Sequence, residues 1–348
     1  MAQPRATFSP DELAIVLSHY DLGIVSDVRE FPRGSHQAPK VMITSNRGRF
    51  LLKRRPRGKD DPFKVAFSHE LQNYLAEQSF PLPHLVGTRE TNNSMLKIED
   101  AIYEVFEFID GQNYDGGLLP TYESGKTLGL YHRLIQDFRS NWKPPPGHYH
   151  ASRGVLDAFP RMEHSLARRA NATESASQRS TLMRDLRAAY ATAADRVNRL
   201  GFAEWPTQIV HSDWHPGNMI FDKGHVVAVI DFAAARIAPR VVDLANGCLQ
   251  FSFIAGGKAL DKWEDRTDVA RATRFLRGYD ERNVVSELEL QAIPPLMQEA
   301  IIAQAVAPII KTGTFAGLDG FAFLSVMRNK MRWIEDNAPQ FELDAKDK

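Results

Sequence analysis

The chain has 348 residues, 43% hydrophobic and 25% charged, with Lys+Arg and Asp+Glu both totalling 43, so its formal net charge is zero. That is room for one large or two modest domains, with no global basic field for nucleic acid and no acidic field for polycations. A single cysteine, Cys248, excludes an internal disulfide framework and fits a reducing compartment.

Residues 1–8 lack the apolar core of a signal peptide, so a cytoplasmic location is expected. Ser9-Pro10-Asp11-Glu12 has the form of a helix start, with Ser9 as cap and Pro10 at the first position. From 24 to 53 the pattern is strand-like, broken at Arg33-Gly34-Ser35-His36 and at Asn46-Arg47-Gly48, the second a good hairpin turn. Residues 60–78 predict a helix that starts near Asp61-Pro62 and stops before Phe80-Pro81-Leu82-Pro83. Further strands are expected at 95–98 and 101–108. Residues 111–117 hold three glycines and no apolar run, as a linker would. Beyond it, helices are predicted at about 121–139, 154–170, 178–200, 239–254, 265–281, 286–311 and 318–337. The apolar stretch 293–310 contains Gln298, Glu299 and Gln304, which argues against a membrane span. The expected organisation is α+β: a small β-rich N-terminal lobe, 1–110, and a larger helical lobe, 111–348, that includes the hairpin carrying the motif described next.

The most informative stretch is His211-Ser212-Asp213-Trp214-His215-Pro216-Gly217-Asn218, followed by Ile230-Asp231-Phe232. Short apolar runs flank both parts, so Asp213, Asn218 and Asp231 are expected on loops at strand ends, where rigid strands hold polar groups in place. An Asp can orient or deprotonate a hydroxyl, and an Asn with a second Asp can bind magnesium that bridges ATP phosphates. The bland alternative is a strand-turn-strand hairpin whose Asp and Asn only make turns.

Lys53 closes the apolar run Phe50-Leu51-Leu52 and is expected to hold the α- and β-phosphates. Glu70, seventeen residues on in the predicted helix, is the expected partner that fixes its ammonium, with Glu77 as competitor. The turn at Gly34 and Ser35 could cover phosphates with backbone N–H groups. The run Lys53-Arg54-Arg55-Pro56-Arg57-Gly58-Lys59 is expected to be a solvated loop rather than a nucleic-acid patch, because no aromatic residues interleave it. Glu107-Phe108-Ile109 is the expected hinge, where an adenine ring would meet backbone groups of Glu107 and Ile109.

These residues resemble the aminoglycoside phosphotransferase/choline kinase superfamily, with its protein-kinase-like two-lobe fold. Tyr20-Asp21-Leu22-Gly23 and the Gly34 turn are similar to the type II homoserine kinase branch. The resemblance implies Asp213 as catalytic aspartate, Asn218 and Asp231 as magnesium ligands, Lys53 and Glu70 as the phosphate lysine and its partner, and ATP with Mg2+ as cofactors. It further implies that His211 braces the catalytic loop, that Asp243 supports that loop, and that His132 is structural. Ser212 stands where the family often has glycine, and no Ala-Pro-Glu-type segment follows Asp231-Phe232-Ala233, which argues for a small-molecule acceptor over a protein. A kinase-fold module without transfer activity and a bacterial protein-serine kinase are the competing readings. Tyr114, Trp142, Trp214, Phe251, Phe253 and Trp333 could line an acceptor pocket, but aromatics at helical spacing more often pack in cores. Arg153, Arg161, Arg168 and Arg169 weakly favour a neutral, zwitterionic or anionic acceptor, homoserine among them.

Overall fold

The structure is a computed structural model that describes residues 5–34, 36–145, 147–169, 172–257, 259–339 and 341; Ser35 lies outside the described residues. In chain order the helices are α1 (Pro10–Ser18), α2 (Pro62–Glu77), α3 (Leu118–Leu134), α4 (Arg153–Leu156), α5 (Phe159–Ala167), α6 (Ala176–Arg199), α7 (Val241–Ser252), α8 (Val269–Asp280), α9 (Glu287–Thr312) and α10 (Gly320–Asp336). The strands of the first half are β1 (Val25–Glu30), β2 (Lys40–Ser45), β3 (Gly48–Arg54), β4 (Leu85–Val86), β5 (Leu96–Ile98) and β6 (Ala101–Glu107). Those of the second half are β7 (Thr207–Val210), β8 (Met219–Asp222), β9 (His225–Val229), β10 (Arg236–Pro239), β11 (Thr314–Phe315) and β12 (Leu318–Asp319). A β-sheet N-terminal region followed by a mainly helical remainder is the kinase-like arrangement the sequence predicts.

The chain forms two compact units, 1–113 with 137–145 and 217–235, and 114–136 with 146–216 and 236–348. In the first, β1-β2-β3-β6-β4 pair in that order with β5 on the end of β6, all antiparallel. Alternation buries one face: Val41, Ile43, Leu52, Tyr103 and Val105 pack with Val16, Tyr20 and Leu22. Side chains then line up across strands, and the register puts Lys40, Lys53 and Glu104 in one row over β2, β3 and β6. Helix α1 begins at the cap foreseen at Ser9, which forms a capping box with Glu12, and Asp61 caps α2 by accepting from the N–H groups of Phe63 and Lys64. The hairpin β8–β9, expected in the helical lobe, belongs to this first unit: Gln112 and Phe221 exchange backbone hydrogen bonds of 2.7 and 3.0 Å, and the Val229 N–H bonds the Pro81 carbonyl. Those strand groups need partners, and the backbone beside β6 supplies them.

The second unit is built around α9, which begins with a capping box at Ser286 and packs on α5, α6, α7 and α10. It is long and apolar enough to cross a membrane, but two-thirds of that stretch is buried inside this unit. Its Glu299 is wholly buried and bonds His150 at 2.8 Å and the Ala151 N–H at 2.7 Å. Helices α3 and α8 meet backbone to backbone. A Cβ on Gly125 would lie 1.9 Å from the Phe275 carbonyl oxygen, and one on Gly278 would lie 2.0 Å from that of Tyr122. Only glycine permits that approach from both sides.

Candidate active site

The first unit holds a cavity of about 860 Å³, counting the solvent at its mouth. Leu51, Phe106, Phe108, Ile220 and Ile230 make it apolar, while Lys40, Lys53, Arg55 and Asp231 bring charge to it. Apolar walls with a cationic portion suit a flat heteroaromatic ring joined to phosphates. Glu107 and Ile109 line it as well. The Glu107 and Phe108 N–H groups are already bonded, to the carbonyls of His84 and Arg49 at 2.9 and 2.8 Å.

Lys53 is where the sequence placed it, but its partner is not Glu70. The Lys53 Nζ lies 3.8 Å from Glu104 Oε2, while Glu70 accepts from the hydroxyl of Ser140. Helix α2 turns Ser68 and Gln72 toward the cavity, and Glu70, two residues from Ser68, falls on another face. Glu77 is exposed. Glu104 is fully buried; Arg55 donates to its Oε1 at 2.7 Å, and His69 Nε2 lies 2.6 Å from the same oxygen. The second His69 nitrogen meets Ser94 Oγ at 2.8 Å. Burial pushes the Glu104 carboxyl up, but Lys53, Arg55 and His69 together draw it well below its ordinary 4.5, so it stays ionised. Arg55, expected on a solvated loop, is therefore buried and paired. The signal that could have found this cluster was a lone acid in the apolar run Ile102-Tyr103-Glu104-Val105, since a charge in a buried strand needs a partner.

Gly34 has φ +76°, the left-handed conformation that makes the turn, and does not itself line the cavity. It sits against Lys40, whose Nζ donates to the Arg33 carbonyl at 3.0 Å. Lys40, unnoticed in the sequence, thus ties the turn to the cavity wall. Burial and the neighbouring Lys53 lower its pKa, against the opposing pull of Asp231.

Asn218 and Asp231 are brought together at one end of the β8–β9 hairpin. Met219 pairs with Val229, and the Ile230 N–H donates to the Asn218 carbonyl at 2.9 Å. Asp231 is exposed and holds φ 65°, ψ 58°, a left-handed conformation that Asp tolerates better than most residues. Among the described residues no three His, Cys, Asp or Glu side chains cluster as a metal cage. A divalent ion would therefore use Asp231, Asn218, phosphate oxygens and water. That donor set fits a hard cation that keeps several waters, as magnesium does.

Asp213 lies in the second unit, on the loop after β7. Its side chain is 45% exposed, and His215 Nε2, not singled out in the sequence, stands 3.6 Å from Oδ1. The loop is held by Asp243, fully buried in the first turn of α7, which accepts from the His211 N–H at 2.6 Å and the Ser212 N–H at 2.7 Å. His132 Nε2 lies 3.2 Å from the same carboxylate, and its Nδ1 2.9 Å from the Tyr279 hydroxyl. Burial holds His132 below its ordinary 6.5 despite Asp243. The neutral ring then donates from Nε2 to Asp243 and accepts from Tyr279. His211 accepts the Asp213 N–H at 3.3 Å and packs edge-on to Trp214 and Tyr131. Ser212 has φ 65°, which is why glycine is common at this place in the families it resembles.

Trp214 is fully buried beside Tyr131, and Phe251 is fully buried against Phe275, so both are core. Trp142 is in the first unit, its ring tilted against that of Phe63 with centroids 5.5 Å apart. Arg169 is neutralised by Glu174 and Asp319 at 2.7 and 2.5 Å, which takes it out of the set expected to attract an anionic acceptor.

The chain is 25% identical over 329 residues to a homoserine kinase of Pseudomonas aeruginosa, covering 90% of this chain and 91% of that one. Its fold matches an aminoglycoside phosphotransferase from Alicyclobacillus acidocaldarius with TM-score 0.71 and 19% identity, over 97% of this chain and 98% of that chain. It also matches amicoumacin kinase hAmiN in complex with AMP-PNP, Ca2+ and Ami, with TM-score 0.64 and 14% identity over 94% of both chains. Residues 27–288 match the sequence model of the phosphotransferase enzyme family, APH, and the chain belongs to that family.

Proposed function

We propose that the protein is an ATP- and magnesium-dependent kinase that moves the γ-phosphoryl group to the hydroxyl of a small molecule, an amino acid or amino alcohol of the homoserine type. The observation that carries this is the first unit's cavity, where apolar walls meet Lys40, Lys53 and Arg55 beside Asp231. The nucleotide analogue held by amicoumacin kinase and the homoserine kinase relatives support the same reading.

Adenine would lie between Leu51, Phe108 and Ile220. With the N–H groups of Glu107 and Phe108 engaged, the backbone of Ile109 and the carbonyl of Glu107 would bond the ring. Lys53 would neutralise the α- and β-phosphates. Asn218 and Asp231 would hold the magnesium, which neutralises charge developing on the transferred phosphoryl group. Asp213 would accept the acceptor's hydroxyl hydrogen, orienting its oxygen for in-line attack and taking the proton as the new O–P bond forms and the bond from the γ-phosphorus to the β–γ bridging oxygen breaks, with ADP leaving. The rigid loop under Asp213 serves this role, because transfer asks the protein mainly for position.

Asp213→Ala and Asp231→Ala are expected to fold with wild-type circular dichroism yet lose at least about 1,000-fold in turnover. ADP release is measured with homoserine, ethanolamine, choline, hexosamines and kanamycin as acceptors. Near-normal turnover by Asp213→Ala would remove its assigned role. A thermal shift with ATP and magnesium but no transfer to any acceptor would favour a nucleotide-binding module.

A further inference from the structure

We propose that Glu104, on a strand, is the positioning residue that aims Lys53 at the nucleotide phosphates, in place of a carboxylate on helix α2. The inference rests on the nucleotide reading of the cavity given above.

The two oxygens of Glu104 do different things. Oε1 receives Arg55 at 2.7 Å and faces His69 Nε2 at 2.6 Å, which anchors the carboxylate from both sides. Oε2 points to Lys53 at 3.8 Å, close enough for charge attraction but beyond hydrogen-bond reach, and makes no hydrogen bond among the described residues. No hydrogen bond from the Lys53 ammonium is found among the described residues either. The lysine is thus oriented by a fixed charge while its donors remain available to phosphate oxygens. An anchor with only one partner would let the lysine compete for it; two groups, Arg55 and His69, on the other oxygen of this buried acid prevent that.

The placement has a mechanical meaning. Lys53 and Glu104 are cross-strand neighbours of β3 and β6, so their separation is set by sheet register. Among the described residues, the hydrogen bond that ties helix α2 to Glu104 is that of His69. Moving that helix would weaken the anchor of Glu104 without removing the carboxylate from beside Lys53. Glu70, engaged with Ser140, takes no part.

The test is a double-substitution cycle read in kcat/KM for ATP and, independently of turnover, in the Kd of a fluorescent ATP analogue. Lys53→Met is expected to lower kcat/KM by about 100-fold, Glu104→Gln by about 10- to 50-fold with most of the change in KM for ATP, and the pair together no more than about threefold beyond Lys53→Met alone. A residue that only supports the fold would give losses that multiply. Glu70→Gln is expected to stay within about threefold of wild type. If Glu104→Gln does not fold, Glu104→Asp carries the same cycle, with a smaller loss that again vanishes in the Lys53→Met background. Multiplying losses, or a Glu104 variant with unchanged kcat/KM and nucleotide Kd, would overturn the proposal. An unimpaired Lys53→Met would instead remove the nucleotide reading on which it stands.

Discussion

Two fully buried carboxylates organise this protein, and they do so by different means. Glu104 in the first unit gathers side chains: an arginine, a histidine and a lysine. Asp243 in the second gathers main chain, taking the N–H groups of His211 and Ser212, with His132 braced beneath it. A side-chain cluster sets the direction of one cation and leaves its reach adjustable. A main-chain clamp fixes the path of a loop, and with it the side chain that follows, Asp213. A lysine that must follow phosphates tolerates the first arrangement, whereas a group that must meet one hydroxyl proton needs the second.

The difference predicts unequal costs. Asp243→Ala strands two buried N–H groups and an imidazole, and is expected to lower stability by about 3–5 kcal/mol in urea unfolding and turnover by at least about 100-fold. Unchanged turnover in the folded fraction would show that the loop holds itself. His132→Phe removes the brace but leaves both N–H bonds, so about 1–3 kcal/mol of stability should go while turnover falls much less. His132 is held below 6.5 in the fold, so the unfolded chain binds the proton first and this residue makes stability fall as pH drops through 6.5. That limb should flatten in the phenylalanine variant.

Glu104 works in a lower window. Its carboxyl is held below 4.5 in the fold, so its stabilisation is full above pH 4.5 and is lost as pH falls below it. Acid unfolding of Glu104→Gln, followed by circular dichroism, should therefore depend less on pH below 4.5 than wild type does. The smallest effect belongs to Ser212→Gly. The left-handed backbone costs serine about 1–2 kcal/mol, while glycine gives back about 0.5–1 kcal/mol through chain entropy. The net is a gain of about 0.5–1 kcal/mol, visible as a higher urea midpoint with little change in kcat. A loss would mean the serine hydroxyl matters.

What the sequence shows and what it hides divide along the same line. Helix starts at Ser9, Asp61 and Ser286 are local, encoded within four residues, and each helix begins where its residues predict it. The pairing of Asn218 with Asp231 is also local, because one short hairpin joins them. The partner of Lys53 is not local. It depends on β3 lying beside β6, about fifty residues away, and on a register that no spacing along α2 reveals. Spacing along the chain points to Glu70 on α2, but the face it occupies meets Ser140. Arg55 is hidden in the same way: the run that contains it has the form of a solvated loop, while the buried acid that receives it sits on another strand.

The glycine-to-glycine contact of α3 and α8 carries no charge and touches no substrate, yet Gly278 immediately precedes the tyrosine whose hydroxyl steadies His132. A single methyl group at 278 would collide with the Tyr122 carbonyl and lever α8 outward, drawing that hydroxyl with it. Through Tyr279, His132 and Asp243, a purely steric change far along the chain would slacken the segment bearing Asp213. The spacing of two helices acts as a mechanical setting for the chemistry, adjustable by residues that have no functional group at all.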